Sequence, residues 1–143
     1  MCRKIWGKVV VVMLALLIIM PVCAMMGCSG SKEPDNKTSV DYTVVENADL
    51  PDELKKLIES KKDKVMRLTY TTKDYTYVVA GYGTRETSGY SIKVNNVYTG
   101  DNALYIDINL IGPAAGEAVN EVETYPVIVL KMERREESVV FKM

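Results

Sequence analysis

The sequence predicts a β-rich α+β fold: an antiparallel sheet or small β-sandwich of six or seven strands with one helix packed on it. An export leader and a flexible tether precede it. Three observations predict this. From Val65 onward, apolar and polar residues alternate in short runs, the period of half-buried strands. A single stretch, with Leu54, Leu57 and Ile58, repeats apolar residues at helical spacing. The first 27 residues are a basic start followed by an apolar run and small residues, which describes an export signal rather than a core helix.

In chain order, Arg3, Lys4 and Lys8 form the positive start, and no acidic residue appears before Glu33. Val9 to Val22 is apolar throughout, interrupted only in shape by Pro21, and Ala24 and Gly27 precede Cys28. Met25-Met26-Gly27-Cys28 resembles the lipobox of bacterial lipoproteins, in which the cysteine is lipidated and becomes the mature N-terminus; Met25 stands where that motif usually has leucine. The alternative is an uncleaved anchor, since the apolar stretch approaches the lower limit of a membrane span. Either reading puts the remainder at the extracytoplasmic face of the cell membrane, because the positive charges precede the apolar run.

Removing residues 1–27 removes three basic residues and no acidic ones. That leaves 18 − 3 = 15 Lys+Arg against 19 Asp+Glu, a net charge of −4. Mild acidity without basic clusters argues against nucleic acid. Cys2 and Cys23 leave with the leader and Cys28 is taken by lipid, so the domain has no disulfide and rests on its own core. The chain has no histidine. That excludes Ser-His-Asp and Cys-His catalysis and a His- or Cys-ligated zinc site. The expectation is a non-enzymatic domain without cofactor, metal or small-molecule substrate.

Residues 28–39 read as lipidated terminus and tether, because Ser29 to Ser39 is polar and contains Gly and Pro. The single domain then spans 40–143. Tyr42 to Val45 is β-prone. Leu50-Pro51-Asp52-Glu53 starts the helix, proline and acids suiting a first turn, and the stripe continues to about Lys62. Strands follow at Val65–Thr71, Tyr75–Ala80, Ser91–Asn95, Tyr105–Leu110, 127–132 and Val139–Lys142, with a charged turn at Glu133–Glu137.

Thr99-Gly100-Asp101-Asn102 is hairpin chemistry. Ile92 and Val94 must share a face with Ile106, Ile108 and Leu110, and a Gly100-Asp101 turn would pair Ile92 with Asn109 on the wrong face. A three-residue Gly100-Asp101-Asn102 loop corrects this, and so does a bulge at Asn95-Asn96. Both solutions bring Tyr90 near Leu110 to Gly112, so the loop before Tyr90 and the loop after Ile111 are neighbours.

Those two loops carry the functional candidates. Gly83, Thr87, Ser88, Gly89 and Tyr90 form one, with Gly89 permitting a sharp turn that presents Tyr90. Gly112, Pro113 and Gly116 form the other, running on through Val119 to Thr124-Tyr125-Pro126. For single residues the plain alternative is turn geometry and packing. Asp107 and Asn109 read as a solvated polar face rather than a metal site, and Glu117, Glu121 and Glu123 lack EF-hand spacing.

In their order and spacing, Gly83, Thr87-Ser88-Gly89-Tyr90, Ile92, Pro113, Gly116, Val119 and Thr124-Tyr125-Pro126 resemble the PrcB C-terminal domain family, over about residues 75–142. Ser88 replaces the first glycine of that family's Thr-Gly-Gly-Tyr. The resemblance implies a lipid-anchored protein that assembles or stabilises an exported or surface protease. Glu86-Thr87-Ser88-Gly89-Tyr90 is also similar in presentation to the Thr-Thr-Gly-Tyr loop of chagasin-type cysteine protease inhibitors, without the proline that precedes it there. The second reading is therefore an inhibitor presenting 84–90 and 112–117 to a protease cleft.

Overall fold

The structure, a computed structural model, describes residues 36–142. The expected leader, Cys28 and the tether up to residue 35 lie outside them. Eight strands form two four-stranded sheets. The strands are β1 (Thr38–Ser39), β2 (Thr43–Val44), β3 (Val65–Thr71), β4 (Tyr75–Tyr82), β5 (Ser91–Gly100), β6 (Ala103–Ile111), β7 (Val127–Glu133) and β8 (Ser138–Lys142). The one α-helix of the described residues, α1, spans Asp52–Glu59 and follows a 3-10 turn at Asn47–Asp49.

One sheet, ordered β1-β5-β6-β8, is built around the β5–β6 hairpin; the other, ordered β2-β7-β4-β3, is the central layer. Period-2 alternation explains why the central layer is buried twice. Val78 and Ala80 of β4, with Leu130 and Met132 of β7, meet Val97, Leu104, Ile106 and Ile108 of the hairpin sheet. Their neighbours Tyr77, Val79 and Val129 point the other way, onto Leu50, Leu54 and Ile58. Leu54 is fully buried, so truncating it to alanine costs about 2–5 kcal/mol. Asp52 and Glu53 occupy the first turn of α1, where the helix dipole favours acids. The Tyr70 hydroxyl donates to Glu53 at 2.6 Å, tying α1 to β3.

The hairpin solves its face problem through the bulge. Asp101 and Asn102 alone form the turn, with φ of 49° and 63°, and Gly100 pairs with Ala103. The three-residue Gly100-Asp101-Asn102 loop is thereby excluded, because Asp and Asn both tolerate the left-handed region that a two-residue turn needs. The register slips between Val94 and Asn96, so Val94 still opposes Ile108 and Ile92 opposes Leu110. Asn95 is the extra residue, and its amide donates to Asp107 at 2.9 Å. Asp107 is thus engaged across the hairpin.

Two further differences have simple causes. Thr38 and Ser39, expected as tether, pair with Thr99 and Tyr98, because Val40 beside them plugs the core and donates to the Val97 carbonyl. The last strand, β8, runs parallel to β6. It arrives from the central sheet rather than by a hairpin, so nothing requires reversal. The turn before it is pinned by Thr76, a buried threonine whose Oγ1 accepts the Arg135 N–H at 2.9 Å.

Candidate functional site: a loop end built around Tyr90

Two connections meet where β4 and β6 end and β5 and β7 begin. Gly83, at φ 74°, takes the chain out of β4, and a Cβ there would stand 3.1 Å from the Asp63 carbonyl oxygen. Backbone and not side chain crowds this position, which explains glycine. Thr84 donates its N–H to that same carbonyl. Arg85 and Thr124 then form an isolated antiparallel bridge, with N···O distances of 2.8 and 2.9 Å.

Thr87 and Ser88 continue the clasp. The Thr124 hydroxyl donates to the Thr87 carbonyl at 2.8 Å. The Ser88 N–H donates to the Asn120 carbonyl, and the Asn120 N–H donates to Ser88 Oγ at 2.9 Å. Segment 84–88 is therefore fastened to 120–124, a pairing that no hydrophobic pattern in the sequence announces.

Gly89, at φ 91°, turns the chain back toward β5 and presses on the second loop: a Cβ there would lie 3.0 Å from Pro113 Cβ and 3.3 Å from Val119 Cγ1. Tyr90 follows, half-buried, with its ring against Gly112 and the Arg85 guanidinium 5.6 Å from the ring centre. Arg85 also donates to the Tyr82 carbonyl at 3.1 Å. Pro113 leads into a turn in which Ala114 N–H donates to the Glu117 carboxylate at 2.7 Å and Glu117 N–H to the Ala114 carbonyl. Gly116, at φ 83°, caps that turn with open space around it.

All eight predicted loop residues thus fall in one cluster at one end of the sandwich. Gly83, Thr87 and Ser88 serve its internal geometry. Gly89, Gly112 and Gly116 are exposed at its surface. Asn120, Thr124 and Arg85 are the parts that sequence reasoning did not single out as site residues. Exposed Ile111, Val119 and Val122 surround the cluster, at 45%, 36% and 51% exposure.

Beside this end, the Lys62 ammonium sits 5.0 Å from the Tyr125 ring centre. Its hydrogen bond to Glu59 holds its pKa above the usual lysine value. Tyr125 is raised by its hydrogen bond to the Glu123 carboxylate, and Lys62 opposes that shift. Chemically, the loop end offers a fixed shape: the hydroxyls of Thr84, Ser88 and Thr124 are engaged by neighbouring backbone. Among the described residues no group of three or more acidic or thiol side chains is disposed to hold a metal.

The comparison with known families covers this region. Residues 76–133 match the family model described as PrcB C-terminal, which runs from β4 through the whole loop end to β7. No curated protein and no solved structure matches the chain. The family is one of accessory proteins of protease complexes. The matched segment holds the glycines, Tyr90 and Thr124-Tyr125-Pro126 that here build the clasp between β4, β5 and β7, and residues 76–133 of this chain are similar to the PrcB C-terminal family.

Proposed function

We propose that the chain is a non-enzymatic, lipid-anchored protein of the extracytoplasmic face that assembles or stabilises an exported protease, docking through the 83–90 and 112–117 loops. The observation that carries this reading is the contact of Gly89 with Pro113 and Val119. It makes two loops into one surface, ringed by the exposed Ile111, Val119 and Val122. A preformed surface of small residues with an apolar rim costs little to order on binding, which suits a protein partner. The membrane link runs through Cys28.

The test uses the full chain as bait for exported proteins. Recovery of a protease whose yield or activity falls when the bait gene is deleted supports the accessory role. If no protease is recovered and Gly89→Val behaves like the parent, loop docking is wrong. The anchor is tested by labelling with a palmitate analogue. Label in the parent and none in Cys28→Ala is expected, and equal labelling of both defeats the anchor.

The inhibitor reading draws on the same adjacency, since paired loops at one end of a sandwich can enter a cleft. Dose-dependent inhibition of the recovered protease would favour it over the accessory role.

A further inference from the structure

Among the described residues, β1 and β8 are the edges of one sheet, and β2 and β3 those of the other. β1 and β2 are two residues long and β8 is five. β3, Val65–Thr71, is seven, and its only neighbour in the sheet is β4. The direction of its free bonds follows from the ladder. Tyr82 donates its N–H to the Pro126 carbonyl, on the β7 side, so Gly81 turns toward β3 and bonds its partner Met66. Bonding sides alternate along an antiparallel strand. Met66, Leu68 and Tyr70 therefore serve β4, while Val65, Arg67, Thr69 and Thr71 direct N–H and C=O to the open side.

Exposed edges are ordinarily blunted by lysine, proline or a bulge. β3 has none of these. Its one charge, Arg67, is folded inward: the guanidinium donates at 2.7 Å to the Met66 and Gly81 carbonyls and lies over the Tyr82 and Phe141 rings. Val65 is 66% exposed, and Thr69 and Thr71 are exposed along the same edge.

This edge complements itself. A two-fold axis through Leu68 sets Val65 against Thr71 of a second copy and Arg67 against Thr69. Every outward donor then meets an outward acceptor, and no like charges oppose. On the helix side Leu68 meets its own copy, flanked by Met66 against Tyr70; on the other side the β-branched Val65 and Thr71 pair. Moving the axis to Arg67 would oppose two cations, and moving it to Thr69 would push Val65 past the end of the strand. The Leu68 register also carries Asp63 of each copy to the level of Lys73 of the other, just beyond the ladder.

We propose that β3 pairs with β3 of a second copy of this chain, antiparallel and centred on Leu68, so that the two central sheets become one. Each loop end lies at the Val65 end of its own β3, because Met66 pairs with Gly81. The dimer therefore holds its two loop ends at opposite ends of the joined sheet, whatever those loops bind.

The test is oxidative cross-linking of the full chain in detergent, carrying Cys2→Ser, Cys23→Ser and Cys28→Ser and one added cysteine. Leu68→Cys puts two thiols on the axis, where non-hydrogen-bonded partners have Cα atoms about 4.5 Å apart, within disulfide reach. It should give covalent dimer. Val65→Cys is exposed but off the axis, with its two copies roughly 20 Å apart at strand rise, and should stay monomeric. Thr69→Pro removes an outward donor and leaves the ladder to β4 intact, as proline allows at an edge. The symmetric dimer loses that bond twice, so cross-linking through Leu68→Cys should slow roughly tenfold. In the parent chain the Arg67 and Thr69 amides should exchange fast at high dilution and more slowly on concentration. No dimer from Leu68→Cys, equal cross-linking of Val65→Cys, or no effect of Thr69→Pro overturns the proposal. Exchange at those amides that is the same at every concentration also overturns it, since the edge would then be filled within one chain or left open.

Discussion

The Tyr90 ring rests on Gly112: a Cβ built at Gly112 would stand 3.3 Å from Tyr90 Cε1. One side-chain atom at the wrong place would lift the ring from the second loop. The neighbouring contact of Gly89 is harsher, since its φ of 91° disfavours any side chain and Pro113 Cβ is 3.0 Å away.

These two glycines should respond differently to alanine. Gly112→Ala meets a ring that can swing, so thermal denaturation should show a loss within about 0.5 kcal/mol. Gly89→Ala adds backbone strain to a clash and should cost about 1–3 kcal/mol. It should also loosen the hold on 112–117, read as faster hydrogen exchange at Ala114 and Glu117. Equal melting of the two variants would contradict this.

Thr124→Val keeps the shape of a half-buried side chain and deletes its 2.8 Å bond to the Thr87 carbonyl. The expected loss is about 1 kcal/mol. It should be local: the amides of Arg85 and Ser88 exchange faster, while those of β5 and β6 keep their protection.

Raising the pH should unlatch α1 from β3. The hydrogen bond to Glu53 holds the Tyr70 pKa above the ordinary tyrosine value, with desolvation acting in the same direction. Because the folded pKa is the raised one, the contribution is complete below the unfolded tyrosine pKa and is lost as pH climbs through the folded value. The pair is exposed, so the effect is small. Tyrosinate absorbance should show late titration of Tyr70 and Tyr125 in the parent and the loss of one of the two in Tyr70→Phe, and that variant should lose its share of the alkaline fall in stability.

Deleting Asn95 should leave the fold intact. Val94 opposes Ile108 and Asn96 opposes Asp107, so removing the residue between them restores a regular ladder with every apolar side chain on its own face. Stability should change by about 1 kcal/mol or less, the lost Asn95–Asp107 bond being offset by regular pairing. The strand straightens at its Tyr90 end, so any protease recovered under the proposed loop docking should be held more weakly while the melting temperature hardly moves. Unfolding of the deletion variant would refute the assignment of Asn95 as the extra residue.

The bulge also shows what sequence could and could not reveal. Alternation forced Ile92, Val94, Ile106 and Ile108 onto one face and left two geometries that satisfied it; the tolerance of Asp101 and Asn102 for positive φ decided between them. The helix and the six longer strands were legible because their apolar periods are long enough to read. The two-residue strands were not: Thr38–Ser39 is polar and joins the sheet only because Val40 beside it is buried. The parallel course of β8 depends on the route between sheets, which no local pattern encodes. At the loop end, glycines and Tyr90 were visible as turn chemistry. Asn120 was not, because its part is played by backbone atoms that any residue possesses.

Where the chain joins the sandwich has a mechanical consequence. β1 pairs with Thr99 and Tyr98, beside the Asp101–Asn102 turn, whereas Tyr90 and Gly112 lie beyond the opposite ends of β5 and β6. The eight residue steps from Thr99 to Ser91 span roughly 26 Å at strand rise. Tension on the N-terminal segment is thus carried first by β1 and the buried Val40, which grip the hairpin sheet at its turn. The clasp around Tyr90 stays unloaded. A domain pulled from one tip can bear the load there and still keep the loops at its other tip in register.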